Sequence, residues 1–184
     1  MKQNFFPALR LTAVCIILFM VIYPATIWII AKAAPAGGEG ETVTANGQVV
    51  GYKLEGQSFT KDGYFWGRPS AAGYNAAGSS GSNKGPSDPA YLKDVQNRID
   101  TFLAHDPGIR KEDIPSDLVT ASGSGLDPDI SLQAAEIQVK RIAATRNIPS
   151  EKLQELIHSH TEAGISGIKK INVLQINVAL DRLK

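Results

Sequence analysis

Cysteine is almost missing from this chain. Cys15 is the only one in 184 residues, which excludes a disulfide framework and a cysteine-based zinc site. Acidic side chains are absent before Glu39, and glycine is absent before Gly37. An excess of charge of either sign is lacking as well, since 19 Lys+Arg against 18 Asp+Glu leave +1. That balance excludes a strongly basic nucleic-acid binder and a strongly acidic solvating tail. What is present is unevenly spread: twelve of the 17 glycines fall between Gly37 and Gly85. Removing residues 1–31 leaves 153 residues with 17 basic and 18 acidic side chains, enough for one domain with a core and too few for two.

Charge is also missing from the 21 residues between Arg10 and Lys32, LTAVCIILFMVIYPATIWIIA. At about 1.5 Å per residue, roughly 20 helical residues cross a hydrocarbon core of about 30 Å. Residues 11–31 are therefore expected to form a transmembrane helix in contact with membrane lipid. Pro24 supplies no N–H, so the carbonyl of Met20 is expected to lose its partner and the helix to kink. Phe5, Phe6 and Trp28 suit the two interfaces. Ala31-Lys32-Ala33 has the small-x-small form of a signal cleavage site, but the apolar run exceeds the ~7–15 residues of a signal core. A lipoprotein signal ending at Cys15 fits worse, because Val14 is not small and the apolar run continues past the cysteine. Lys2 and Arg10 precede the run and only Lys32 follows it before Lys53, which orients the N-terminus inward. The expected organisation is a cytoplasmic N-terminus over 1–10, the span over 11–31, an Ala/Gly-rich tether over 32–48 and an extracytoplasmic domain over 49–184.

Punctuation in the domain predicts an α+β fold, a single mixed α/β domain with few long strands. Residues 49–54 read as a short strand. Six of the thirteen aromatics then lie from Tyr52 to Tyr74. Asp88 can cap and Pro89 begin a helix whose apolar face is Leu92, Val95, Ile99, Phe102 and Leu103, with Asp106-Pro107-Gly108 as its stop. Leu118-Val119-Thr120 reads as a strand. Ser131 caps a second helix with face Ala135, Val139, Ile142 and Ala143, and Ser150 caps a third carrying Leu153, Leu156, Ile157 and His160. The end of the chain fits both periods. Leu174, Ile176, Val178 and Leu180 alternate as in a strand, whereas Val173, Ile176, Leu180 and Leu183 fit a helix capped by Asn172.

No segment carries a complete catalytic or ligand-binding pattern. The Gly78–Gly85 stretch lacks the G-K-[ST] end of a phosphate loop. Gly123-Ser124-Gly125 lacks the third glycine of a dinucleotide loop, since Pro128 holds that place, and Ser124 is not centred in G-x-S-x-G. His158 and His160 stand about 200° apart on a helix. Asp127 and Asp129 suit a helix entry. Tyr64-Phe65-Trp66 reads as core or partner surface, and Arg68 beside it can bond a carboxylate.

Tyr64-Phe65-Trp66-Gly67-Arg68-Pro69-Ser70, then Ser80-Gly81-Ser82-Asn83, then the run from Asp117 through Ser122-Gly123-Ser124-Gly125-Leu126-Asp127 to Pro128, resemble the C subunit of the bacterial potassium-transporting Kdp ATPase. The close from Val173 to Asp181 is similar to that family's end, and the likeness covers roughly residues 8–183. The resemblance implies a non-catalytic, single-pass subunit of a four-part P-type pump in the bacterial inner membrane. Its partners would be a channel-like subunit that translocates potassium, a subunit that hydrolyses ATP and a small membrane subunit. ATP and potassium would belong to the complex. The family is held to be needed for assembly and has been described as a catalytic chaperone that raises the ATP affinity of the hydrolysing subunit. No catalytic residue is carried over. Tyr64 to Pro69 and Ser122 to Asp127 are expected to form one structural and partner-facing region. The rival readings are a membrane-tethered extracytoplasmic hydrolase using Ser124 or the His158/His160 pair, and a binding protein released by cleavage after Ala33.

Overall fold

The structure is a computed structural model that describes residues 2–164 and 167–183. The chain divides into two compact units, Met1–Glu41 and Thr42–Lys184.

The first unit is one long apolar helix. α1 (Lys2–Ile16) runs into a π-helical stretch, Ile17–Ile22, and continues as α2 (Tyr23–Ala31). The π turns end immediately before Tyr23-Pro24, where the Tyr23 N–H donates to Leu18 O, five residues back. This widened register, placed directly upstream of a residue with no N–H, is how the helix passes Pro24. The Thr26 hydroxyl donates to Ile22 O at 2.8 Å, not to Met20. From Asn4 to Ala31 the helix is long and apolar enough to cross a membrane, with none of its most apolar stretch buried within the chain. Phe19, Met20 and Trp28 are each more than half exposed. A helix apolar all round and uncovered by its own chain requires lipid or other helices around it.

The second unit begins earlier than its strand pattern implied. The tether expected through residue 48 gives way at Thr42 to a hairpin of β1 (Thr42–Ala45) and β2 (Gln48–Tyr52). Asn46 and Gly47, both at positive φ, make its two-residue turn, a sequence signal that the Ala/Gly-rich surroundings obscured. A connection from residue 53 to 88 follows, with only a 3-10 turn at Ala76–Gly78. α3 (Pro89–His105) starts as expected: the Asp88 carboxylate accepts the N–H groups of Ala90 and Tyr91. Of its expected apolar face, Phe102 is buried while Leu92 is half exposed.

Residues 118–120 are not a strand. Ser116–Leu118 form a 3-10 turn, and the Thr120 N–H and hydroxyl both donate to Ser116 O. Leu118 and Val119 are buried through that turn and not through a ladder. The sheet is β3 (Asp129–Ser131), β5 (Lys169–Asn172) and β4 (Thr161–Ala163), antiparallel in the order β3-β5-β4. Ser131 caps α4 (Leu132–Glu136) by accepting the Ala134 N–H. α5 (Val139–Arg146) follows, ended by Asn147 in the left-handed region. α6 (Ser150–Ser159) begins behind Pro149, so Ser150 lies inside the helix and does not cap it. The ambiguous end of the chain is helical: α7 (Val173–Leu180) is capped by Asn172, whose side chain accepts the Gln175 N–H. Burial decides it, since Val173, Leu174, Ile176 and Leu180 all face inward, which a helix permits and an alternating strand does not. Val173, Ile176 and Leu180 close the core with Ile130, Ile142, Leu153, Ile157 and Ile171.

Candidate functional site

The 53–88 connection has no strand pairing of its own, so side chains from elsewhere hold it. Phe65 is fully enclosed in the core. Its N–H donates to Asn177 Oδ1 at 2.9 Å, and its carbonyl accepts from Asn177 Nδ2 at 3.0 Å. One residue on, the Trp66 N–H donates to Gln138 Oε1 at 2.8 Å, and the Trp66 carbonyl accepts from Gln138 Nε2 at 3.3 Å. Two buried amides thus do for this loop what a neighbouring strand would do.

Arg141 completes the clamp. Its guanidinium donates to Asp106 Oδ2 at 2.8 Å, to the Tyr64 carbonyl at 3.1 Å, to Gln138 Oε1 at 2.6 Å and to the Asp62 carbonyl. It also lies over the Trp66 ring, 4.4 Å from its centroid. Burial raises the Asp106 carboxyl above the usual carboxylate range, with Arg141 opposing. Tyr64 is held from outside: its hydroxyl donates to Asp181 at 3.2 Å, and Arg146, paired with Asp181 at 2.7 Å, lies over its ring. Sequence reasoning missed Gln138, Arg141, Asn177 and Asp106 as functional groups. The signal available was polar residues placed among apolar ones: Gln138 and Arg141 lie three apart between Ala135 and Ile142, and Asn177 stands between Ile176 and Val178 in α7.

Past Trp66 the attachment changes character. Arg68 pairs with Asp127 at 2.9 Å. The Ser122 N–H donates to the Pro69 carbonyl at 3.1 Å. Ser70 Oγ donates to the Gly125 carbonyl at 2.6 Å and accepts the Tyr74 N–H at 2.9 Å. The Tyr74 hydroxyl donates to the Arg68 carbonyl at 2.6 Å; burial raises its pKa above the ordinary tyrosine value, with Arg98 opposing. Ser79 Oγ donates to the Ser124 carbonyl at 2.9 Å, and the Leu126 carbonyl accepts the Gly56 N–H at 2.7 Å. Gly125 sits at φ +69°, and a Cβ there would meet Ser80 O at 2.7 Å and the Ala72 Cβ at 2.8 Å. Only glycine serves both the backbone angle and the close approach.

The structure therefore brings together the two segments singled out in the sequence, Tyr64–Pro69 and Ser122–Asp127, which meet through Arg68 and Pro69, and the Ser79–Gly81 loop lies against the second of them. Within that block Phe65, Ser122 and Gly125 are buried and Gly123 and Ser124 exposed, while Tyr64, Trp66, Gly67, Arg68, Pro69, Leu126 and Asp127 are half-buried. The Ser124 hydroxyl accepts the Leu126 N–H at 3.1 Å, a local turn bond. Asp127 and Asp129 engage Arg68 and Lys170 in place of the helix end expected of them. Hydrogen bonding to Asp129 raises the Lys170 pKa above its ordinary value. His160 is the residue after α6, its Nδ1 at 2.9 Å from the Leu156 carbonyl, and His158 is exposed. Among the described residues no three His, Cys, Asp or Glu side chains are grouped to hold a metal ion.

An apolar helix of membrane-crossing length precedes a mixed α/β domain whose 53–88 connection is cross-tied to the 122–127 loop, the build of a membrane-associated protein. Comparison with known proteins gives the particular kind. A family model described as KdpC, K+-transporting ATPase, c chain, matches residues 5–182. Among relatives, a potassium-transporting ATPase KdpC subunit of Flavobacterium johnsoniae is 57% identical over 99% of this chain and 100% of its own length. Those of Bacteroides thetaiotaomicron, with 99% and 100% covered, and Herpetosiphon aurantiacus, with 100% and 98% covered, are each 47% identical. The chain belongs to the KdpC family, an accessory and not the catalytic subunit of a potassium-transporting ATPase.

Proposed function

We propose that the chain is the assembly subunit of a potassium-uptake pump, held by its N-terminal helix with the domain outside the cytoplasm. The cross-tied block of residues 68–70, 79–81 and 122–127 would be the face on which it meets the other subunits. One observation carries this reading. A connection running from residue 53 to 88, far longer than the roughly 12–15 residues beyond which loops are usually functional, is ordered by bonds to the 122–127 loop. Ordering that much backbone costs about 1–2 kcal/mol per residue, and a preorganised contact surface is a use that offsets it.

The partners in this reading are a channel-like subunit that translocates potassium, an ATP-hydrolysing P-type subunit and a small membrane subunit. ATP and potassium are ligands of the complex. A domain outside the membrane does not touch cytoplasmic ATP, so a gain in ATP affinity would reach the hydrolysing subunit through the assembly. The Ser124 hydroxyl, engaged with the Leu126 N–H, supports a turn in place of a nucleophile.

The experiment is expression with the other pump subunits, scored by co-purification and by growth at limiting potassium. Ser124→Ala is expected to assemble and pump near normally. A fully assembled but inactive Ser124→Ala complex would overturn the accessory reading. A reporter active only outside the cytoplasm, fused after Lys184, is expected to be active, and an inactive one reverses the orientation. Replacing residues 11–31 with an unrelated span is expected to keep the chain in the membrane and weaken assembly; unchanged assembly would reduce the helix to a tether.

A further inference from the structure

On the α3 side of the 53–88 connection an apolar cavity of about 370 Å³ is lined by Phe59, Trp66, Tyr74, Phe102 and Leu118, with Arg98 among its lining residues. Its aromatic walls are fixed: Trp66 meets Phe102 edge to face at 6.1 Å and 85°, Tyr74 is tied to the Arg68 carbonyl, and Trp66 is held by Gln138 and Arg141. Arg98 donates from Nη1 to the Val119 carbonyl at 2.9 Å and, among the described residues, has no carboxylate partner. A permanent cation, half-buried and bonded to a carbonyl, therefore stands beside a rigid aromatic hollow. Aromatic rings favour edge-to-face and offset neighbours, and a guanidinium favours a carboxylate above any neutral acceptor.

We propose that this cavity is a docking site for one aromatic side chain adjoining a carboxylate, presented by a partner subunit of the pump. It rests on the subunit reading above and names the chemistry of one contact within it. The ring fills the hollow between Trp66, Phe102 and Tyr74, and the carboxylate takes Arg98. The two demands together define the partner segment, since a ring alone leaves the cation uncompensated and a carboxylate alone leaves the hollow empty.

The test has two arms. In the first, the full chain carrying Trp28→Phe, so that Trp66 is the only tryptophan, is titrated in detergent with 3-phenylpropanoate and, separately, with the neutral 3-phenylpropan-1-ol, reading Trp66 emission. The acid is expected to bind saturably and more tightly than the alcohol. Adding Arg98→Gln is expected to weaken the acid by about tenfold and leave the alcohol unchanged. Equal affinity for acid and alcohol, or no saturable signal, overturns the proposal. In the second arm, exposed Thr101 on the cavity's rim is changed to Trp to fill the hollow, and complex recovery is compared with that of the unmodified chain at matched thermal midpoint. Recovery well below the unmodified level supports the site. Equal recovery overturns the site and leaves the subunit reading standing, whereas an unmodified chain that fails to co-purify overturns the subunit reading itself.

Discussion

The segment from Tyr64 to Ser70 is continuous in sequence, yet its two ends are held by different physics. Tyr64, Phe65 and Trp66 are fastened from within the core by Asn177, Gln138 and Arg141. Arg68, Pro69 and Ser70 are fastened nearer the surface by a partly exposed ion pair and by bonds to the backbone of the 122–127 loop. In the buried end each polar group is costly to leave unpaired, so removing one partner strands another. In the outer end the ion pair is partly open to water, and much of the specificity comes from close backbone approach. A single motif thus combines a buried anchor with a partly exposed stretch, the part that the proposed function makes a partner surface.

The largest expected effects lie in the anchor. Phe65→Ala should destabilise the domain by about 3–5 kcal/mol through the lost apolar volume and the cavity it leaves. Arg141→Met should cost a similar amount, about 3–5 kcal/mol, because Asp106 stays buried without its cation. Chemical denaturation of the full chain in detergent measures both. For each, complex recovery should fall only in step with the loss of folded protein. If Phe65→Ala stays fully folded yet fails to assemble, Phe65 belongs to a partner surface and the distinction between the two ends is lost.

Gly125→Ala tests the junction between loops. The left-handed φ and the contacts with Ser80 and Ala72 predict a loss of about 1–3 kcal/mol, with Gly125→Asp no better. A neutral alanine would mean that the 79–81 loop moves aside freely. Arg68→Ala sharpens the comparison from the other side. The pair with Asp127 is partly exposed, so its removal should cost about 1 kcal/mol or less in stability while reducing complex recovery by more than that loss explains. ATPase activity per assembled complex should change little. Equal effects on stability and recovery would make Arg68 purely structural.

The smallest effect concerns the cap of α3. Backbone N–H bonds from Tyr91, then the bond from Lys84, hold the Asp88 carboxyl below its usual value. A depressed folded pKa adds stability that is present above the unfolded value of about 3.9 and is lost as pH falls through the folded one. Asp88→Asn keeps a cap acceptor but does not titrate. The thermal midpoint of the original chain should therefore exceed that of Asp88→Asn near neutrality, with the gap closing below about pH 4. A constant gap would show that charge at this helix end contributes nothing.

Local chemistry makes several features legible in the sequence. An uncharged run between Arg10 and Lys32 is apolar whatever surrounds it, and the caps Asp88-Pro89 and Ser131 act on their own next turn. The motif segments Tyr64–Pro69 and Ser122–Asp127 were likewise visible as unusual, because glycine, proline and aromatics concentrate there. The hairpin at residues 42–52 was missed although Asn46-Gly47 signals it, because Ala and Gly around it read as linker. The 118–120 strand was wrongly expected because three apolar or β-branched residues are equally content in a buried turn.

Other outcomes depended on neighbours that no local pattern names. The last segment's two periods were both satisfied until its core faces were known, and burial of the adjacent Val173 and Leu174, with Val178 only half-buried, selected the helix. Tyr64-Phe65-Trp66 fitted core and surface alike until Asn177 and Gln138, more than 70 residues away, supplied the bonds its backbone lacked. By itself the sequence determined the apolar helix, the starts of α3 and α4 and the places where the backbone is special, since these follow from side chains acting within one turn. Tertiary structure alone decided which special segments meet, which of their residues are buried and where Arg98 faces an aromatic hollow, because desolvation and pairing are properties of groups brought together from distant parts of the chain.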